Sequence, residues 1–273
     1  ALKPLPQIYA VKSSPAADEP VLLDFADGVA TLTLNRPDNL NAASRAMMTA
    51  LEKQLHLVAE LPDLRAIIVT GTGRAFCAGG DLLEFEAALQ AGGTELLDTL
   101  RYNQDVIQLL EDLPVPVIGA VNGVAVAGGL EMLLCCDIIV AADGTKMGDG
   151  HARYGVVPVG GASVRLPERI GQSRAAQLFY TGELVDAETL KDWGLVNEVV
   201  PPDRLMDRAR EIAGLICQRS PEVNRHTKVL TSRVSQSRAL RIRAELERFA
   251  IHLGGNNFAK GLAAFRNKQS PVY

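Results

Sequence analysis

Two glycine-rich turns, each running into the pattern of a helix start, are where this chain could do chemistry. The first reads Gly73-Arg74-Ala75-Phe76-Cys77-Ala78-Gly79-Gly80-Asp81-Leu82. The second spans Ala120 to Asp137 and contains Asn122-Gly123-Val124-Ala125-Val126-Ala127-Gly128-Gly129-Leu130-Glu131. Backbone N–H groups left open at a helix start bind an anion or a developing oxyanion. Glycine lets a ligand come close to the backbone there. Glu131 stands three residues after Gly128, about one helical turn in, which puts its carboxylate near the same mouth. An oxyanion site beside a carboxylate suits proton transfer at a carbon next to a carbonyl. Glu131 also interrupts an otherwise apolar helix, where a carboxylate is costly unless it is paired or used. A structural ion pair and a catalytic role both satisfy that condition, and small residues also serve close packing.

Other chemistries lack their signatures. Gly71-x-Gly73 follows a strand pattern, but Phe76 stands where a dinucleotide loop has its third glycine. The sequence holds no GxxxxGK[ST], HExxH or GxSxG, which argues against a P-loop, a zincin site and a serine-hydrolase elbow. His56, His151, His226 and His252 are far apart in sequence, and no metal is expected. Cys77, Cys135, Cys136 and Cys217 form neither a disulfide framework nor paired CxxC knuckles, so they read as free thiols of a reducing cytosol. Cys77 has no histidine beside it in sequence to activate it.

The elements that must position the turns alternate between strands and helices. Val29 to Leu34 is β-branched and partly alternating, a strand pattern that Asn35-Arg36-Pro37-Asp38-Asn39 breaks. Met48, Leu51, Leu55 and Val58 follow at helical spacing. Ala66 to Thr70 reads as a buried strand closed by Gly71-Thr72-Gly73, and Val115 to Val121 and Asp137 to Ala141 as two more. This alternation predicts an α/β core. From about Pro202 the character changes: Leu205 to Gln218 and Ser237 to Leu253 are amphipathic helices without intervening strands. The expected organisation is a loose arm over 1–20, a core over 21–204 and a helical region over 205–273.

The uncharged run Leu113 to Leu130 is long enough to span a membrane. Pro114, Pro116, Asn122 and four glycines break it into two short buried elements, so no membrane span is expected. The first six residues lack the apolar segment of a signal peptide, and a cytoplasmic protein is expected. With 47% hydrophobic and 22% charged residues, the composition excludes a disordered chain, a collagen-like repeat and a coiled coil. A net charge of −4 supplies no general basic field for nucleic acid.

Taken together, six segments resemble the crotonase (enoyl-CoA hydratase/isomerase) superfamily. Asn35 to Ala42 is similar to its NRPxxxNA turn, Ala75 to Leu82 to its AFxAGxDL loop, and Asn122 to Asp137 to its NGxAxGGGxEL…CD segment. Gly155 to Gly161 matches GxxPxxGG, Ala187 to Pro201 resembles AxxxGLVxxVVP, and Phe265 to Tyr273 resembles FxxKxxPxF. The likeness covers about residues 21–273, with the six segments in the family's order.

The resemblance implies a spiral of ββα repeats followed by C-terminal helices that build a homotrimer or a dimer of trimers. It implies an acyl-CoA thioester substrate, with coenzyme A entering as part of that substrate and no tightly bound cofactor. The thioester oxygen would sit between the N–H groups of Gly80 and Gly128. CoA contacts would come from Arg36, Asn39, Leu40 and Ala42, and from Phe76, Ala78, Gly79, Asp81 and Leu82. Phe265 and Lys268 would approach the adenine and 3′-phosphate from a neighbouring subunit; Lys268 could equally be a solvated tail charge. Residues 83–105 would shape the acyl pocket, with Leu96, Leu97, Leu100 and Tyr102 either lining it or lying in the core.

One departure bears on mechanism. Family hydratases use two glutamates, one for the water and one for the proton at Cα. Glu131 matches the first, but His151 stands at the second position, with Asp149 two residues away. Histidine can serve as an acid or base near neutral pH, or as a structural hydrogen-bonding residue. A smaller departure is Ala127, which replaces a family glycine and would be harmful only at positive φ. The expectation is hydration of a 2-enoyl-CoA. An isomerase, another enolate enzyme such as a C–C hydrolase, or a non-catalytic acyl-CoA binder are the alternatives.

Overall fold

A computed structural model of the chain describes residues 19–92, 94–231 and 236–269. Most of the expected N-terminal arm (1–18) and the last residues of the closing motif (270–273) lie outside the described residues. Strands β1 to β5 are Val21–Ala26, Val29–Leu34, Ala66–Gly71, Ala75–Cys77 and Val117–Val121. Strands β6 to β10 are Val124–Val126, Ile138–Ala142, Lys146–Gly148, Val185–Asp186 and Glu198–Val200. Helices α1 to α4 are Arg45–Ala59, Leu82–Gln90, Thr94–Asp112 and Gly128–Leu134. Helices α5 to α8 are Ala162–Ile170, Gln172–Thr181, Ala187–Asp192 and Leu205–Cys217. Helices α9 to α11 are Pro221–Thr231, Gln236–His252 and Asn257–Arg266.

β1 and β2 form an antiparallel hairpin around Asp27-Gly28, both at positive φ, as a tight Asp-Gly hairpin turn requires. The hairpin edges a six-stranded sheet of order β1-β2-β3-β5-β7-β10, parallel from β2 onward. A second sheet has the order β4-β6-β8-β9. Each pass of the chain adds a strand to the large sheet and then one to the small sheet. β3-β4, β5-β6 and β7-β8 do this in turn, and a helix follows the first two pairs. The expected mixed α/β architecture with a helical C-terminal region is therefore present.

The large sheet is apolar on both faces because both are covered, as parallel sheets require. Leu32, Ile67, Val69 and Val121 join the main core with Met47, Leu51 and Leu55 of α1. Ile68, Ile118 and Val140 on the opposite face meet Leu205, Ala209 and Ile212 of α8. The first helix of the C-terminal region thus closes the sheet. The run Leu113 to Leu130 resolves into β5, β6 and the start of α4, and none of the described helices is long and apolar enough to cross a membrane.

Two asparagines of the motif segments staple the crossings between sheets. Asn41 donates through Nδ2 to the carbonyls of Thr72 (2.9 Å) and Ala75 (2.8 Å). Asn122 accepts from the Gly71 N–H through Oδ1 (3.1 Å) and donates to the Gly73 carbonyl (3.0 Å). The two glycine-rich segments are thereby held together where parallel β4 and β6 begin.

Ala127, between β6 and α4, sits at φ 52° and ψ −119°, a conformation suited to glycine. Such strain costs about 1–3 kcal/mol, whereas glycine's extra freedom in the unfolded chain costs about 0.4–1 kcal/mol. Ala127→Gly is expected to raise stability by about 1 kcal/mol, a rise in Tm of about 2–4 °C. Thermal unfolding checks this, and a lower Tm would mean that the alanine is not strained.

Candidate active site

β4 and β6 deliver Gly80 and Gly128 side by side. In the bridge between Ala43 and Gly80, the Ala43 N–H donates to the Gly79 carbonyl (2.7 Å) and the Asp81 N–H to the Ala43 carbonyl (3.4 Å). The Gly80 N–H lies between those two bonds and takes no part in either. Gly128 is the first residue of α4, so its N–H has no acceptor within the helix. A Cβ on Gly128 would lie only 3.6 Å from the Gly80 nitrogen. A side chain there would fill the gap between the two donors.

Glu131 lies on the buried face of α4 and is 3% exposed. Its Oε1 accepts from the N–H groups of Gly160 (2.8 Å) and Ala162 (3.2 Å), which orients the carboxylate. Its Oε2 lies 3.9 Å from His151 Nε2. Gly160 has to be glycine, because a Cβ there would come within 2.5 Å of Oε2. This is the physical content of the Gly160-Gly161 pair in the sequence.

β8 carries the chain to Asp149 and His151, both buried. Asp149 Oδ1 is 2.9 Å from His151 Nδ1, and Oδ2 accepts the His151 N–H (3.3 Å). Gly150 and Gly155, both left-handed, flank the single turn His151–Tyr154 that aims the ring. Burial alone would lower the His151 pKa. The charge of Asp149, its hydrogen bond, and the charges of Glu131 and Glu245 outweigh it and raise the pKa to about 9. These carboxylates favour the imidazolium form, and the Nε2 edge of the ring faces Glu131.

A third carboxylate, Glu245 of α10, was not singled out by the sequence. It accepts from the N–H groups of Gly161 (2.5 Å) and Ser163 (2.9 Å) and from the Ser163 hydroxyl. The open N–H groups at the start of α5 are therefore capped alternately: Gly160 and Ala162 by Glu131, Gly161 and Ser163 by Glu245. Burial, then the charge of Glu131, raises the Glu245 pKa to about 7. Arg165 holds the same loop from behind, donating to the Gly160 carbonyl (2.6 Å) and pairing with Glu111 (2.6 Å). The sequence carried one signal for Glu245: it sits in the helical stripe of Ile242, Leu246 and Phe249, all buried.

Gly80, Gly128, Glu131 and His151 line one cavity of about 110 Å³. Its remaining wall is mostly apolar, with Met48, Leu82, Phe85, Leu100, Ile107 and Val156. Of the residues expected for an acyl pocket, Leu100 reaches it. Leu96 is fully buried among Phe85, Phe249 and Phe258. Leu97 lines a separate groove with Arg243 and Glu247. The Tyr102 hydroxyl donates to Glu52 (2.6 Å), with Arg45 over its ring. Tyr154 lines the cavity and meets Phe265 edge-on at 5.7 Å.

The segments expected to contact CoA lie together beside this cavity. Arg36 pairs with Asp81 (3.4 Å) and donates to the Ala42 carbonyl (2.8 Å), and the Ala78 N–H donates to the Leu40 carbonyl (3.0 Å). Asn39 is exposed at the end of the turn Pro37–Asn39, and Gly79 carries the chain from Ala78 into Gly80. Phe76 is fully enclosed in the main core, so its ring presents nothing to a ligand and only its backbone could contribute. Lys268 is exposed just past α11. Cys77 is buried and its thiol pKa is raised to about 11 by burial, so it stays protonated. Asp137 accepts from the Val117 N–H (2.8 Å) and pairs with Lys228 (2.9 Å), so it has a structural role.

The sequence model of the enoyl-CoA hydratase/isomerase family matches residues 24–273. The chain belongs to that family. It is 32% identical over 257 residues to a crotonyl-CoA hydratase of Syntrophomonas wolfei, covering 93% of this chain and 97% of that one. It is also 32% identical over 257 residues to a 1,2-epoxyphenylacetyl-CoA isomerase of Escherichia coli, with the same coverage. A crystal structure of an enoyl-CoA hydratase/isomerase from Xanthobacter autotrophicus Py2 superposes with a TM-score of 0.84. That match is 29% identical and covers 91% of this chain and 93% of that one. Membership of this crotonase superfamily makes enoyl-CoA hydratase-like or isomerase chemistry the activity of this enzyme. The Glu131 and His151 geometry then bears on which of the two.

Proposed function

We propose that the enzyme adds water across the double bond of a 2-enoyl-CoA, using Glu131 and His151 as a base and acid pair. The observation that carries this reading is the pairing itself. Glu131 Oε2 and His151 Nε2 lie 3.9 Å apart, and both residues line the same cavity as Gly80 and Gly128. Glu131 Oε2 takes a proton from water as the water oxygen bonds to Cβ. Negative charge moves onto the thioester oxygen, where the two N–H donors stabilise it; one such donor contributes about 3–4 kcal/mol to lowering a barrier. His151 Nε2–H then protonates Cα. The step leaves Glu131 protonated and His151 neutral, and one proton passed between them restores both. No cofactor is needed.

CoA would lie along Arg36, Asn39, Leu40 and Ala42 and along Ala78 to Leu82, with Lys268 near a phosphate. Exposed Val223, Leu240 and Ile251 on the C-terminal helices support a trimer or dimer of trimers built through them, with Phe265 and Lys268 serving a neighbouring site. Four free cysteines support a cytoplasmic setting. The second reading, isomerisation by one carboxylate, is supported by the family's description as enoyl-CoA hydratase/isomerase.

The test follows enoyl-thioester absorbance with crotonyl-CoA and a longer trans-2-enoyl-CoA. Hydration removes the absorbance. A 3-enoyl-CoA that gains it, with no loss from the 2-enoyl substrates, would replace hydration by isomerisation.

A further inference from the structure

One polar side chain of the cavity has neither a part in the proposed chemistry nor a partner for its oxygen. Asn103 stands on α3 between Leu100 and Ile107, spaced so that the three share one face, and all three line the cavity. Asn103 is 8% exposed. Among the described residues its Oδ1 is the only fully buried side-chain oxygen or nitrogen with no hydrogen-bond partner. Its neighbour Gln104 shows the ordinary outcome, donating to the carbonyls of Val159 (2.6 Å) and Ile242 (2.9 Å). A buried amide oxygen without a donor is destabilising, and such groups in folded proteins call for an explanation. Packing does not supply one, since a leucine would fill the same volume and continue the apolar stripe.

We propose that Asn103 reads the acyl group. It accepts a hydrogen bond from a hydroxyl on the chain, so the preferred substrates are short hydroxylated 2-enoyl-CoAs rather than hydrocarbon ones. A neutral hydroxyl fits better than an ammonium, which would lose its hydration against Phe85, Leu100 and Ile107. This inference rests on the cavity being the acyl site of the function proposed above.

The experiment compares chains of equal heavy-atom count: 4-hydroxybut-2-enoyl-CoA with pent-2-enoyl-CoA, and 5-hydroxypent-2-enoyl-CoA with hex-2-enoyl-CoA. It reads kcat/KM by absorbance and, by calorimetry, the Kd of the saturated thioester of each. Wild type is expected to prefer the hydroxylated member of at least one pair by about tenfold to a hundredfold. Asn103→Leu, shown to be folded by thermal unfolding, is expected to lose that preference. Equal kcat/KM within both pairs for wild type, or a preference that survives in Asn103→Leu, would overturn the proposal. Turnover without preference would leave hydration standing and remove the role of Asn103. A preference in Kd without turnover would support Asn103 and overturn hydration.

Discussion

Glu131→Gln lowers kcat for enoyl-CoA hydration by about 10²–10⁴-fold, the range for a positioned acid or base. The replacement is nearly isosteric, and its amide oxygen can still accept from Gly160 and Ala162, so the start of α5 stays capped. What is lost is the free Oε2, the atom that faces His151 and would take the proton from water. Because the proposed CoA contacts lie on other segments, binding is expected to change by less than about threefold, separating an effect on the transition state from one on substrate binding. Stopped-flow absorbance gives kcat, and calorimetry with a saturated acyl-CoA gives affinity. Retained kcat would remove Glu131 from the chemistry. Lost binding together with lost kcat would make it a structural residue.

His151→Ala is expected to lower kcat by a similar 10²–10⁴-fold, because His151 is the titratable donor that faces Glu131 Oε2 in the cavity. Asp149→Asn separates position from charge. The amide can still bond the ring, but the charge that most favours the imidazolium is gone. With the folded pKa near 9 and the unfolded value near 6.5, the proton's contribution to stability is complete below about pH 6.5. It is lost as pH rises through 9. Activity that needs the imidazolium falls over the same alkaline range, and in Asp149→Asn that fall moves toward neutral pH. Full-rate hydration by His151→Ala, or an unshifted alkaline limb in Asp149→Asn, would make the pair a structural hydrogen bond.

Residues whose role is local were legible in the sequence. Glycine turns, the β-branched runs of β2 and β3, and the α1 stripe all act through neighbours in the chain, and they fell where the patterns put them. The family resemblance put Gly80, Gly128, Glu131 and His151 in one site, and they share one cavity. Glu245 escaped because its partners are 82 and 84 residues away, at the start of α5. Its place in the apolar stripe of α10 marked it as buried but did not say which distant groups it would meet. Asn103 was passed over for a similar reason. Its neighbours Leu96, Leu97 and Leu100 drew attention as apolar residues, whereas the meaning of Asn103 depends on which side of α3 faces the cavity. Ala127 was legible as a lost glycine, but its cost appears only with its φ of 52°.

The most direct test of the Glu131 and His151 pair is the pH dependence of kcat/KM for crotonyl-CoA hydration by the wild-type enzyme. The account predicts rapid loss of enoyl-thioester absorbance at neutral pH and a single alkaline limb near pH 9, set by His151. A limb between pH 6 and 7 would mean that the histidine is neutral at work and cannot be the acid. No turnover, with acyl-CoA bound, would contradict hydration itself.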